Sequence, residues 1–164
     1  MSTISPREAQ WREELRKARS AKERTATPRV KMPELDPAYR ITCNEEVNRG
    51  LSREQAVTEA TRCLDCPDPQ CITGCPVGIN IPGFIKNIER GCFGEAAIVL
   101  KETSALPAVC GRVCPQERQC ESKCIYNKMR KEPVAIGYLE RFAADNARLS
   151  GESSQPGCAA PNGI

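Results

Sequence analysis

Eight of the eleven cysteines in this 164-residue chain fall into two tight blocks. The first is Cys63-x2-Cys66-x4-Cys71-x3-Cys75-Pro76, and the second is Cys110-x3-Cys114-Pro115-x4-Cys120-x3-Cys124. Segments so rich in thiol, proline and glycine read as loops and short helical turns. Whatever joins or occupies these thiols therefore organises the fold. An odd cysteine count argues against a closed disulfide set. Met1 to Arg29 has no apolar core region or cleavage signature, so it does not read as a secretory leader. No run of apolar residues is long enough to span a bilayer. The expected compartment is the cytoplasm, where thiols stay reduced and structural disulfides are rare. Metal binding is the expected use of the blocks.

Histidine is absent, which excludes Ser-His-Asp and Cys-His catalysis and every metal site that needs imidazole. The aromatic residues are limited to Trp11, Tyr39, Phe84, Phe93, Tyr126, Tyr138 and Phe142. A chain so poor in large apolar side chains buries a thin core, and bound metal is expected to staple it.

Closely spaced cysteines ending in Cys-Pro follow the pattern of bacterial-type ferredoxins, with a longer middle gap here. Soft thiolate donors suit iron bridged by sulfide. Three closely spaced thiolates gather around one cluster, while a fourth usually serves its neighbour. The spacing thus predicts two [4Fe–4S] clusters with crossed ligation. Cys63, Cys66 and Cys71 hold the first, which takes its fourth ligand from the second block, and Cys75 reaches across to the second cluster. Two zinc ribbons are the competing reading, but they favour paired CxxC knuckles, and only Cys63-x2-Cys66 qualifies. The plant-type [2Fe–2S] spacing is absent. Cys43, Cys92 and Cys158 are scattered and read as incidental thiols.

Along the chain the predicted elements are helical. Pro6 to Arg24 reads as one charged helix with an apolar stripe of Trp11, Leu15 and Ala18, either solvated or serving as a docking arm for another subunit. Thr25 to Pro37 holds three prolines and reads as an extended linker. Ser52-x-x-Gln55 matches a capping box that opens a helix to about Arg62. Ile81–Arg90 and Phe93–Thr103 follow, and a last helix runs from Pro133 to about Leu149, with Ile136, Leu139, Phe142 and Ala143 at helical spacing. No alternating pattern suggests a sheet. The expected fold is all-α, a small helical domain with two clusters held by loops between helices. The expected organisation is a charged N-terminal helix or arm at 1–29, a cluster domain at 30–150 and a flexible tail at 151–164, rich in Gly, Ser and Pro. Residues 1–40 carry ten Lys/Arg against six Asp/Glu, so the positive excess belongs to the N-terminal segment. No basic patch interleaved with aromatics supports nucleic-acid binding.

Arg62-Cys63-Leu-Asp-Cys66, Pro69-Gln-Cys71-Ile-Thr-Gly-Cys75-Pro-Val, Ile79-Asn-Ile-Pro-Gly-Phe84-Ile, Gly94-Glu-Ala96, Cys110-Gly-Arg-Val-Cys114-Pro, Cys120-Glu-Ser-Lys-Cys124 and Pro133-Val-Ala-Ile-Gly137 form an ordered set. Over roughly residues 30–150 it resembles the N-terminal double-cluster domain of the glutamate synthase small subunit. The same module is similar to those of dihydropyrimidine dehydrogenase, of NADPH-dependent ferredoxin oxidoreductases and of the NADPH-binding subunit of electron-bifurcating transhydrogenases. The resemblance implies an α-helical fold with two [4Fe–4S] clusters that move electrons between a flavin and another redox centre. It implies Cys63, Cys66, Cys71 and Cys124 as ligands of one cluster, and Cys75, Cys114 and Cys120 as ligands of the other. In the family the remaining ligand is a Gln or Glu on the last helix, and the matching position is Glu140. Glu140 otherwise reads as a solvated carboxylate, although no ion-pair partner lies three or four residues away. Cys110 is the alternative ligand, since thiolate is the softer donor.

In the family the cluster domain precedes a flavin and nucleotide domain announced by G-x-G-x-x-G, a pattern that does not occur here. The expectation is therefore a non-catalytic electron-transfer subunit of a cytoplasmic oxidoreductase complex. FAD and NAD(P)H would belong to a flavoprotein partner, and a catalytic redox subunit would be the other partner. The alternatives are a free ferredoxin-like carrier and a zinc-stabilised interaction module.

Overall fold

Chain entry into the domain begins at once, because Ser5 is already buried, its hydroxyl accepting from Asn87 Nδ2 at 2.9 Å. The computed structural model describes residues 5–151. Among them the regular elements are helices, with one isolated antiparallel bridge between Glu34 and Asn48. No described helix is long and apolar enough to cross a membrane. The expected all-α class is what forms.

The single helix expected over Pro6–Arg24 is two helices, α1 (Gln10–Ala18) and α2 (Ala21–Ala26). Ser20 breaks it: Arg19 is extended, and Ser20 with Glu23 forms a full capping box that starts α2. Neither helix is a free arm. Arg12 and Arg24 are buried against the rest of the chain, and Trp11 is half-buried beneath Arg90, whose guanidinium carbon lies 3.9 Å from the ring centre. A short turn, α3 (Pro37–Arg40), follows the extended stretch.

Four helices build the core. The capping box at Ser52 opens α4 (Arg53–Thr61) as the sequence indicates. Pro82 lies in the first turn of α6 (Ile81–Glu89), where its missing N–H costs nothing, and Asn80 caps Gly83. The third is α7 (Phe93–Lys101), and the fourth is α9 (Ile136–Ser150), which starts three residues later than the sequence suggests. Between α4 and α6 lies one short turn, α5 (Gln70–Thr73), within the first cysteine block. Ala56, Ala60, Phe84, Ile85, Ile88, Ala96, Val99, Leu100, Leu139 and Phe142 meet in the interior. Phe93 and Phe142 pack edge to face with centroids 5.0 Å apart. The second cysteine block opens with a helix that the sequence reading treats as loop, α8 (Pro107–Val113), and continues in 3-10 turns. The α8 helix packs along α9.

The core is tied by an unusual number of buried charges. Glu59 is fully buried, and its carboxylate takes Arg62 Nη1 at 2.6 Å, the Val30 amide at 2.7 Å and the Ala135 amide at 2.8 Å. It thereby supplies the N-terminal hydrogen bond for α9, which has no side-chain cap of its own. Arg62 in turn donates to the carbonyls of Thr27, Glu132 and Pro133.

Candidate metal centre

Asp65 makes the first cage possible. It adopts a left-handed backbone with φ 53°, which short polar residues tolerate best, and so turns the chain between Cys63 and Cys66. Its carboxylate is fully buried and paired with Arg12 and with Arg16, the latter at 2.6 Å. Arg7 Nε donates to the Asp65 carbonyl at 3.0 Å. From the other side Lys86 Nζ donates to the Cys63 carbonyl at 2.5 Å, and Arg24 Nη1 donates to the Thr61 carbonyl at 2.6 Å. The loop is thus gripped by cations from α6 and from the N-terminal segment.

Inside that grip Cys63, Cys66, Cys71 and Cys124 line one cavity of about 330 Å³. The rest of its wall is mostly apolar, including Leu64, Ile81, Ile85, Ile125, Val134 and Ile136. Burial pushes the Cys63 thiol up to about 11 against the opposing pull of Lys86. Burial also raises Cys71, reinforced by Cys63, Cys124 and Cys66, and raises Cys66, reinforced by Cys124. Cys63, Cys66 and Cys71, each held in the thiol form, are primed for a cation that would relieve them. Tyr126 closes the floor, its buried hydroxyl donating to the Arg62 carbonyl at 2.7 Å.

The second group is built where α8 meets α9. Gly111 lets the two backbones touch: a Cβ there would sit 2.6 Å from the Arg141 amide nitrogen. Gly137 likewise leaves room for the Gln116 side chain, which donates to the Cys110 carbonyl at 3.1 Å. Cys114 is raised by burial and then by Cys110, Glu140 and Cys75 nearby. Burial pushes Cys120 up to about 12, with Glu121, Cys75 and Glu140 adding to it. Cys75 therefore lies with the second block although it belongs to the first. Gly74 marks the crossing, since its Cα approaches the Gln119 carbonyl so closely that a Cβ would come within 2.7 Å of that oxygen.

Glu140 belongs to this second group and is no solvated carboxylate. It is 6 % exposed, burial alone raises it to about 7, and its Oε1 has no hydrogen-bond partner within the protein. A buried acceptor left unsatisfied calls for a ligand. Cys110 also lies in this group, beside Cys114. Among the described cysteines none is in a disulfide, and Cys43 and Cys92 stand apart as half-buried thiols. Cys158 lies outside the described residues. Among the described residues no three His, Cys, Asp or Glu side chains close on the position of a single metal ion. The thiols surround space wide enough for a larger inorganic group. The residues present fit [4Fe–4S] clusters in donor type, in the cavity they line and in the orphaned carboxylate.

Residues 40–152 match the protein family described as dihydropyrimidine dehydrogenase domain II, 4Fe-4S cluster. The chain belongs to this family. It is 43 % identical over 102 residues to the glutamate synthase [NADPH] small chain of Escherichia coli K12, covering 62 % of this chain and 21 % of that one. Similarity to the corresponding chain of Azospirillum brasilense is 37 % over 118 residues, covering 71 % and 24 %. The NAD-dependent dihydropyrimidine dehydrogenase subunit PreT of Escherichia coli K12 is 39 % identical over 114 residues, covering 69 % and 27 %. The chain thus spans about a quarter of the length of these relatives. The family domain is a binder of [4Fe–4S] iron.

Sequence reasoning missed the collar of the first cage. Arg7, Arg12, Arg16 and Arg24 read there as the charged face of a solvated helix or arm. The signal available was Asp65, an acid set between cysteines, whose nearby cation Arg62 has Glu59 as a second acid three residues away. The break at Ser20 was also visible, since Ser20-x-x-Glu23 has the form of the Ser52 capping box.

Proposed function

We propose that this chain is the electron-transfer subunit of a cytoplasmic oxidoreductase complex, relaying electrons through two [4Fe–4S] clusters between a flavoprotein partner and a catalytic redox partner. The observation that carries it is the division of the donors into two adjoining sets, with Cys75 crossing from the first block to the second group. When bound, each cluster supplies a site that takes up and gives back one electron without making or breaking a bond. Cys63, Cys66, Cys71 and Cys124 hold the first, and Cys75, Cys114, Cys120 and Glu140 hold the second. Cys71 also lies near Cys120, and this closeness between the two groups is what a relay needs. The relatives' printed names support this reading, since one names NADPH and the other is a NAD-dependent dehydrogenase subunit. On that basis FAD and NAD(P)H belong to the partner.

Anaerobically purified protein is expected to be brown and to carry roughly eight irons and as much labile sulfide per chain. Zinc without labile sulfide overturns the reading in favour of an interaction module. Glu140 and Cys110 are separated by paired variants. Glu140→Ala is expected to lower the iron content or alter one cluster spectrum, while Cys110→Ala leaves both unchanged. The reverse pattern makes Cys110 the ligand.

A further inference from the structure

The charges built around the two cages are unequal. At the first, the buried Lys86 ammonium lies 2.5 Å from the Cys63 carbonyl and 2.5 Å from one oxygen of Glu89. Arg24 pairs with the other oxygen of Glu89 at 2.8 Å and reaches the Cys63 carbonyl at 3.4 Å. Arg7 holds the Asp65 carbonyl, while Arg12 and Arg16 share its carboxylate. Five cations thus answer two carboxylates at this collar. At the second cage the buried Glu140 has an unpartnered oxygen, and Glu121 beside Cys120 pairs with Arg29 at 2.9 Å and accepts from the Gly137 amide. One cation is buried close by, Arg141, whose terminal nitrogens reach Asn48 and Glu46 and whose Nε faces Asp145 at 3.5 Å without a hydrogen bond, so this side holds two cations where the collar holds five.

We propose that this collar makes the first cage the higher-potential electron site of the two, with Lys86 and Arg7 as the residues that set the difference. The inference rests on the two-cluster reading above. Adding one electron to a cluster adds one negative charge to its cage. A fixed cation close by favours that state, and buried charge is screened little by salt. No proton moves and no bond changes; the electron comes from the partner's reduced flavin and passes to the partner's oxidised acceptor. The consequence is a built-in direction, with electrons settling at Cys63, Cys66, Cys71 and Cys124. Four of the five cations, Arg7, Arg12, Arg16 and Arg24, precede the residues that match the family. The device therefore belongs largely to this chain's N-terminal segment.

The test is a redox titration of the full chain, loaded with iron and sulfide without oxygen, reduced by dithionite and followed by electron paramagnetic resonance. The two signals are assigned with Glu140→Gln, which perturbs the second alone. In the native protein the first cage is expected to reduce at the higher potential. Lys86→Gln is expected to lower that midpoint, and Arg7→Gln to lower it by less, with the second midpoint unmoved. Lys86→Gln combined with Glu89→Gln removes one charge of each sign and is expected to return the midpoint towards native. The inference is overturned if the native order is reversed, if neither variant shifts the first midpoint, if both midpoints fall together, or if the double variant falls as far as Lys86→Gln. Arg7 is half-buried near the surface, so its variant decides the matter where Lys86→Gln does not load. Iron analysis of the native chain is a separate result: fewer than about eight irons overturns the two-cluster reading itself.

Discussion

The two proposed cages, one of four thiols and the other of three thiols and a carboxylate, have opposite architectures. The first is a loop with almost no regular structure, closed from outside by long cationic side chains that reach in from distant parts of the sequence. The second lies where α8 and α9 meet in backbone contact, with Cys75 and Cys120 on turns beside them, and its shape depends on glycines at the points of closest approach. Loop cages of the first kind draw their rigidity from hydrogen bonds to carbonyls, as Lys86, Arg7 and Arg24 provide. Helical cages draw it from packing, as Gly111 and Gly137 allow. The difference teaches where each should be vulnerable: the first to loss of a ligand or a charge, the second to added bulk.

The largest effect is expected from a ligand of the loop cage. Cys71 packs against the core alongside Cys63, Cys75 and Cys124, so metal loss there removes a wall of the interior. Cys71→Ser is expected to lose about half of the iron, roughly four atoms per chain on the two-cluster scheme, and to unfold at clearly lower denaturant. Iron and sulfide analysis with a denaturation curve checks both. Loss of all iron would show that the two cages do not load independently, and the contrast drawn between them would fail.

Next in size is Glu59→Ala, in the core beside Arg62 at the head of the first block. Glu59 is fully buried and answers Arg62, Val30 and Ala135 together. Removing one partner of a buried pair costs about 3–5 kcal/mol, because the remaining charge is left uncompensated. The midpoint of urea unfolding of the iron-loaded chain should fall accordingly. A cost below about 1 kcal/mol, the range of exposed pairs, would mean that water replaces the carboxylate.

Much of this was legible in the sequence, and the exceptions have physical causes. The spacing of the blocks separated Cys75 from its neighbours, and Cys75 is among the groups that raise Cys114 and Cys120. The box at Ser52, the first-turn Pro82 and the apolar period of Phe84, Ile85 and Ile88 are local signals that tertiary packing did not override. The α8 helix was missed because Pro, Gly and two cysteines within nine residues read as loop, whereas packing on α9 supplies what local propensity lacks. The collar was missed because Arg12 and Asp65 lie 53 residues apart and nothing in the periodicity of either links them. Charge-to-carbonyl contacts leave no period in a sequence.

For the helical cage the expected effect is smaller and confined. A methyl group at Gly111 would meet the Arg141 backbone, which cannot rotate away as a side-chain end can. Gly111→Ala should cost about 1–3 kcal/mol through overpacking, and should move Cys110 and Cys114 relative to Glu140. The spectrum of the second cluster is expected to change while that of the first stays native. A change in both, measured by electron paramagnetic resonance, would show that α8 also supports the loop cage.

The smallest effect tests whether charge matters to the helical cage at all. Arg112 on α8 bridges Glu46 at 3.0 Å and Asp145 of α9 at 2.7 Å, and so appears in a drawing much like the pairs of the collar. Its side chain is 29 % exposed, however, where Arg12 is 3 % exposed. The hydrogen bonds that Arg112 donates to Asp145 and Glu46 hold its guanidinium above its usual range. Solvent screening leaves such a bridge worth about 0.2–1 kcal/mol. Arg112→Ala is therefore expected to shift the unfolding midpoint only slightly and to leave iron content and both cluster spectra native. Salt should reveal the same contrast without a mutation: the Arg112 bridges weaken within the ionic-strength range where the Debye length shortens to a few ångströms, while the buried Arg12–Asp65 pair holds. A large loss on Arg112→Ala would mean that α8 is fastened to α9 by charge, and that packing at Gly111 follows from that fastening.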